Sequence, residues 1–562
     1  MKKTTIFALT LLSLFFLSTE GEACTNLLIT KGASKDGSVM VSYAADSHQL
    51  YGELYFVKGG IHKAGTMLKI YEWDSGRYLG EIPQAPVTYT QIGNMNEKQV
   101  IITETTFGGL PLQDSTATMD YGSLIYVTLQ RATTAREAIK IMADFVKEYG
   151  YCSEGESFSI ADKNEVWILE MVGKGVKMVK GKNINKGAVW VAVRIPDGYV
   201  SAHANQARIT TFPLNDPENC MYAPDVISFA KENGYFKGDS KDFSFADTYA
   251  PLEFSGMRAC EARVWAAFNI LGGGMIGEKS YTEYEDYALG HNKSNRLPLY
   301  IKPKEKVTVK MVADIMRNHF EGTILDMTKD IGAGGNALPY RWRPLTFDVD
   351  SVSYVNERAI ATQQTGFWMI GQSRNWLPDE VGGILWFGVD DAATSTLTPV
   401  YMGINSVPEC FRVGNGDMMT YSPTSAFWIF NRISNFAYLR YNLVAPEIRR
   451  IIDRRENMLL ERVSVIDAAA MTFYNKSKEE AKEFLTDYTV NTAQDLFNTW
   501  VGLDKYLLVK FIDGNVKKMG PDGHFLDNGF SKAIPASPAQ PGYTEKWKRA
   551  VKDDAGKLLQ VK

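Results

Sequence analysis

The chemistry in this sequence starts at Cys24, because of the residues in front of it. Gly21-Glu22-Ala23 reads as the end of a secretory leader, so a cut after Ala23 makes Cys24 the first residue of the mature chain. Its thiol and a free α-amine then share one residue. A cysteine thiol titrates at about 8.5 and an α-amine at about 7.7–8.0. At neutral pH a useful fraction of the amine is therefore uncharged and can take the thiol proton, directly or through one water. The thiolate can attack an amide, form a thioester and be released by water. Attack creates an oxyanion, which needs hydrogen-bond donors beside the sulfur. The amine needs an anchor, and a carboxylate would serve.

The leader, residues 1–23, has the expected three parts. Lys2 and Lys3 are positive, Ile6 to Leu17 is apolar, and Ser18 to Ala23 is small and polar. The apolar run is shorter than the roughly 18 residues that span a bilayer, and no second long run follows. A soluble protein, periplasmic or secreted, is expected. The competing reading is a lipoprotein with Cys24 acylated, although Gly21 stands where such leaders prefer an aliphatic residue. The plain reading is an ordinary cysteine near a cut.

Composition narrows the classes further. The 562 residues are 45% hydrophobic and 12% aromatic, enough for one large or two fused domains. The net charge is −4 and no basic tract points to nucleic acid. Beyond Cys24, the cysteines Cys152, Cys220, Cys260 and Cys410 allow two bridges or none. The six histidines form no i,i+4 pair, no Gly-x-Ser-x-Gly elbow is present, and the glycine clusters at Gly272 and Gly332 lack a phosphate-loop lysine. No metal or cofactor is called for.

The elements that must position Cys24 read as many antiparallel strands interrupted by helices, an α+β pattern. Cys24 to Thr30 and Val39 to Ala45 read as an opening hairpin. Two strands follow within Val87 to Phe107, then a helix over Thr133 to Tyr149 and a hairpin over Glu156 to Met171. Another pair of strands surrounds Pro196-Asp197-Gly198. Helices are expected at Ala262 to Leu271 and Val307 to Phe320. Strands return at Val352 to Phe367, Ile384 to Val389 and Thr398 to Gly403, and helices at Ile448 to Glu461 and Val463 to Trp500. The expected divisions are a catalytic domain over 24–440 with insertions, a helical region over 441–520, and a Pro/Gly-rich tail over 521–562.

Several ordered motifs then resemble one family. They are Cys24-Thr25-Asn26-Leu27-Leu28-Ile29, Ala33-Ser34-Lys35-Asp36-Gly37-Ser38, Ala45-Asp46-Ser47, Glu104-Thr105-Thr106-Phe107-Gly108-Gly109, Asp120-Tyr121-Gly122-Ser123-Leu124, the run Gly155 to Asp162, and the run Ala202 to Ile209. Together they resemble the dipeptidases of peptidase family C69, the dipeptidase A group, and within it exported members of Bacteroides-type bacteria. The resemblance implies a four-layer αββα N-terminal-nucleophile fold and metal-free hydrolysis of dipeptides, by an enzyme that often assembles into homo-oligomers. It puts the nucleophile at Cys24. By similarity with bile-salt hydrolase and penicillin V acylase, it puts the amine anchor at Asp46 and the oxyanion donor at Asn205. One departure stands out: many relatives carry arginine three residues before the aspartate, where this chain has Tyr43.

Each candidate has a plainer reading. Asp46 could be a turn or cap aspartate, and Asn205 a loop asparagine bonding the backbone. Arg208 and Arg374 could fork onto a substrate carboxylate, but a structural ion pair is preferred for each. Glu104 or Glu156 could meet a substrate ammonium, and a structural role is preferred there too. The competing functions are an amidase acting on a bile salt or penicillin-like amide, and a secreted binding protein without turnover.

Overall fold

The structure is a computed structural model that describes residues 24–561. The expected leader, residues 1–23, lies outside the described residues. Strands and helices are numbered here along the chain, leaving out the small peripheral hairpins.

Two antiparallel sheets carry the fold. The first runs, in spatial order, β12 (Tyr300–Ile301), β10 (Val200–His203), β1 (Asn26–Ile29), β2 (Val39–Asp46), β13 (Thr365–Ser373), β14 (Ile384–Val389) and β15 (Thr398–Tyr401). The second runs β11 (Cys220–Tyr222), β9 (Ala188–Arg194), β8 (Val166–Gly173), β7 (Gly155–Ala161), β6 (Ile101–Gly108), β5 (Met95–Asn96), β4 (Gln91–Ile92) and β3 (Phe56–Val57). The sheets pack face to face, with β1 and β2 against β6 and β7. The approach is close: a Cβ on Gly371 of β13 would come within 2.8 Å of Ile101 of β6.

Helices cover the outer faces. On the second sheet lie α1 (Tyr121–Leu129) and α2 (Ala135–Tyr149). On the first lie α3 (Ala262–Leu271), α4 (Val309–Met316), α5 (Ala426–Leu439) and α7 (Lys478–Phe511), the last paired with α6 (Tyr441–Tyr474). Covering both faces explains why every residue of β7 and β8 is buried, where a strand with one wet face would alternate. In α2, Thr134 caps the first turn and Ala138, Ile139, Met142 and Val146 form the buried stripe, as the helical spacing predicts.

Four expectations change. The strands flanking Pro196-Asp197-Gly198 are not partners: β9 belongs to the second sheet and β10 to the first, so the turn carries the chain between layers. The expected strand Val352 to Phe367 is split. Val352–Val355 pairs in an exposed hairpin with Thr346–Val349, and the loop 356–364 separates it from β13. Helix α1 was not foreseen, because its apolar residues run continuously without helical spacing; its signal was the box formed by Asp120 and Ser123. The helices expected within 441–520 are two of 34 residues each, broken at 475–477. They pack on the first sheet, tied down by Arg317 of the α4 segment and Glu456 of α6. The tail wraps the surface, pairing Val516 with Ala539 and ending in the helix Glu545–Ala555. None of the five cysteines is in a disulfide, so the question left open by spacing resolves as five thiols.

Candidate active site

Strand register gathers the expected residues. Thr25 faces Ala44 of β2, and Asn26 faces His203 of β10. Continuing both registers sets Cys24 opposite Ala45, next to Asp46, on one side and opposite Asn205 on the other. Cys24 is therefore the strand end between the two residues expected to serve it. It is 2% exposed and lines a cavity of about 220 Å³, together with Asp46.

The cavity is walled mainly by apolar and aromatic groups. Leu50, Trp73, Ile125 and Phe367 line it, with Tyr43, Tyr55, Tyr121 and Tyr126. Trp73 sits at the turn joining strands Met67–Tyr71 and Tyr78–Pro83, and its backbone N–H donates to Asp120 at 2.8 Å. A Cβ on Gly122 would meet Trp73 at 2.5 Å, so only glycine lets α1 close on this turn. Among the described residues, no histidine lines the cavity. His203 lies between the sheets, bonded to Thr105 and Ser159 at 2.7 Å each, and burial lowers its pKa to about 3. It is a neutral structural ring.

Asp46 is buried and doubly held. Its Oδ2 accepts from Arg358 Nη2 at 2.5 Å and its Oδ1 from Thr365 Oγ1 at 2.6 Å. Arg358 comes from the loop 356–364, which is what the broken strand makes room for. Asn205 sits at φ +61°, and its Nδ2 donates to Thr106 O at 2.7 Å. Its Oδ1 accepts from Arg263 Nη2 at 3.0 Å, which fixes the orientation of the amide.

Arg263 of α3 is the residue that sequence reasoning missed most completely. Its Nη1 donates to the Cys24 carbonyl at 2.6 Å and to Thr25 Oγ1 at 2.9 Å, and its Nη2 also reaches Ala204 O at 3.1 Å. One guanidinium thus ties the strand segment at Cys24 to the Asn205 turn. Burial, with the nearby Arg358, lowers its pKa to about 10. The available signal was a lone arginine inside the apolar run Ala262 to Leu271, preceded here by a π-helical turn over Gly256–Glu261.

Tyr43 stands three residues before Asp46, where the resemblance implies an arginine. Its hydroxyl is 3.8 Å from Cys24 Sγ and donates to Glu104 Oε1 at 2.6 Å. Cys24 Sγ itself lies 3.6 Å from that same oxygen. The thiol therefore meets a phenol and a buried carboxyl. Burial pushes the Glu104 carboxyl up to about 7, against hydrogen bonds from Tyr43, Glu156 and Cys24 that pull the other way.

Arg208 does not reach the cavity. It pairs with Glu261 at 2.9 Å and donates to the carbonyls of Ala202, Pro298 and Leu299. Arg374 likewise pairs with Asp467 and bonds the carbonyls of Val381 and Gly382. Both guanidiniums are spent on structure, the reading preferred from sequence. Among the described residues, no group of three or more His, Cys, Asp or Glu side chains is arranged to hold a metal ion.

With this geometry in view, comparison with known proteins is informative. The chain is a peptide-bond hydrolase. It belongs to peptidase family C69, whose sequence pattern matches residues 62–454. A probable dipeptidase of Latilactobacillus sakei is 26% identical over 417 residues, covering 70% of this chain and 77% of that protein. A probable dipeptidase of Salmonella dublin is 25% identical, covering 72% and 86%. A probable dipeptidase A of Streptococcus pyogenes is 22% identical, covering 85% and 96%. No described helix is long and apolar enough to cross a membrane.

Proposed function

We propose that the protein is an exported cysteine dipeptidase of the N-terminal-nucleophile class, built on the four-layer αββα plan, with Cys24 as nucleophile. The observation that carries this reading is the register: Cys24 at the cavity, flanked by Asp46 at the end of β2 and by Asn205 just past the end of β10. Removal of the leader after Ala23 frees the α-amine, which Asp46 orients. The amine takes the Sγ proton, and the thiolate adds to the scissile carbonyl carbon. A side-chain N–H of Asn205 meets the oxyanion. Collapse breaks the C–N bond, and the ammonium formed at Cys24 returns its proton to the departing amine. Water then attacks the thioester by the same route and releases the first amino acid and the thiol.

The relatives' names as probable dipeptidases support the substrate class. The apolar wall of Leu50, Trp73, Ile125 and Phe367 would also accept the acyl part of a non-peptide amide, which is the second reading. The test is hydrolysis by chain beginning at Cys24, beside Cys24→Ala and an uncut form retaining Ala23, on unlike dipeptides without added metal. Turnover by the first form alone is expected. Activity surviving in Cys24→Ala would overturn the mechanism. Hydrolysis of bile-salt or penicillin-type amides in place of dipeptides would select the second reading.

A further inference from the structure

We propose that Glu104, backed by Glu156 and Asp74, is the subsite for the free α-ammonium group of the substrate. The proposal rests on Cys24 being the nucleophile, and it specifies which amides that nucleophile accepts.

The argument begins with the length of a dipeptide. Its α-nitrogen is two bonds from the scissile carbonyl carbon, a separation of about 2.5 Å. In an attack geometry that carbon lies about 3–3.5 Å from the sulfur. The ammonium must then sit within roughly 6 Å of Sγ, whatever the side chains. A group that reads a free N-terminus has to be an immediate neighbour of the nucleophile. Glu104 is that neighbour, with Oε1 3.6 Å from Sγ.

The surroundings of Glu104 lack what a structural carboxylate has. The residue is 1% exposed, yet among the described residues it makes no ion pair. Its Oε1 accepts from Tyr43, and its Oε2 has no donor against it apart from the Glu156 carboxyl. Asp74 adds further negative charge nearby. Burial disfavours the ionised form of Glu104, which has no ion pair among the described residues, and it is why this carboxyl is held near pH 7. A substrate ammonium is the missing counter-charge. Binding it would restore Glu104 to its ionised form and orient the scissile carbonyl over Sγ.

Glu156 and Asp74 line a second cavity, of about 340 Å³, with Glu72, Asp120 and Glu154. It meets the first at Tyr121, which lines both and donates to Asp74 at 2.7 Å. The acidic cavity and the apolar cavity that Cys24 lines therefore flank Tyr121. The first suits an ammonium and the second the side chain of the same amino acid.

The test compares alanyl-phenylalanine with propionyl-phenylalanine, which differs only in lacking the amine, using chain that begins at Cys24. Loss of the ammonium should lower kcat/KM by about 100-fold or more. Glu104→Gln, of the same size without the charge, should lower the ratio of kcat/KM for the dipeptide over the propionyl substrate by a comparable factor. Glu104→Asp should recover part of the dipeptide activity. Equal hydrolysis of the two substrates by the unaltered chain would overturn the proposal, even if Glu104→Gln failed to fold. So would an equal loss on both in a folded Glu104→Gln. No turnover of any dipeptide would remove the dipeptidase reading and this proposal with it. Turnover of both substrates alike would remove this proposal only.

Discussion

Two buried glutamates show how one residue type is put to different use. Glu456, on α6, is 3% exposed and grips Arg317 with both oxygens, at 2.5 and 3.0 Å. Thr396 Oγ1 and the Leu397 backbone N–H complete its shell at 3.1 and 3.2 Å. Glu104, on β6, is buried as deeply and touches a phenol, a thiol and another carboxyl. Desolvation of an ion in the interior is offset only by a partner of opposite charge and a full set of hydrogen bonds. Glu456 has both and joins the helical layer to the first sheet. Among the described residues Glu104 makes no ion pair, so its cost is carried by the surrounding fold, as is common where a site is built to receive something.

The contrast can be tested from its strongest consequence down. Replacing Cys24 by Ala should lower kcat/KM by about 10⁴-fold or more and leave the denaturation midpoint almost unmoved, since the site is separate from the clamp. Arg317→Met should cost about 3–5 kcal/mol in urea unfolding, because it strands Glu456 in the interior. A loss below about 1 kcal/mol would break the contrast.

Glu104→Gln should do the reverse, sparing or raising stability while impairing dipeptide hydrolysis. Its pH dependence gives the sign. The folded carboxyl titrates at about 7 and an unfolded one at about 4.3. Between these values the folded state holds more protons, so the unaltered chain loses stability as pH rises through this window and levels off above it. The Gln variant lacks that slope, and its advantage should be absent near pH 4 and complete above pH 7, as read from urea midpoints across pH. A constant difference across the window would refute it. The smallest effect expected is from Thr365→Val, which removes one of the two groups holding Asp46. It should cost about 1 kcal/mol and a modest fraction of kcat, measured by unfolding and by initial rates.

Much of the site was legible because its parts lie in short, strongly patterned segments. Cys24 follows a leader-like stretch, Asp46 ends an apolar strand, and Asn205 follows another. Helix α2 announced itself by its cap and spacing. The pairing of β9 and β10 was not legible, since a turn sequence looks the same whether it closes a hairpin or crosses between sheets. Arg358 gave no local sign at all. Its role exists only because a loop 312 residues beyond Asp46 in sequence returns beside it. Arg208 and Glu104 looked equally available in the sequence. The first was taken by Glu261 and three carbonyls, and the second was left beside the thiol.

The sequence by itself determined the local terms: strand and helix periodicity, caps, the absence of metal-binding spacing, and the position of one cysteine behind a leader-like stretch. These depend on neighbours a few residues apart, so a linear reading suffices. Tertiary structure alone decided which charged side chains were neutralised and which were not. That depends on distance and desolvation between residues far apart in the chain. Arg317 and Glu456, 139 residues apart, satisfy one another in the outer layer, whereas Cys24 and Glu104, 80 residues apart, meet beside the Tyr43 phenol.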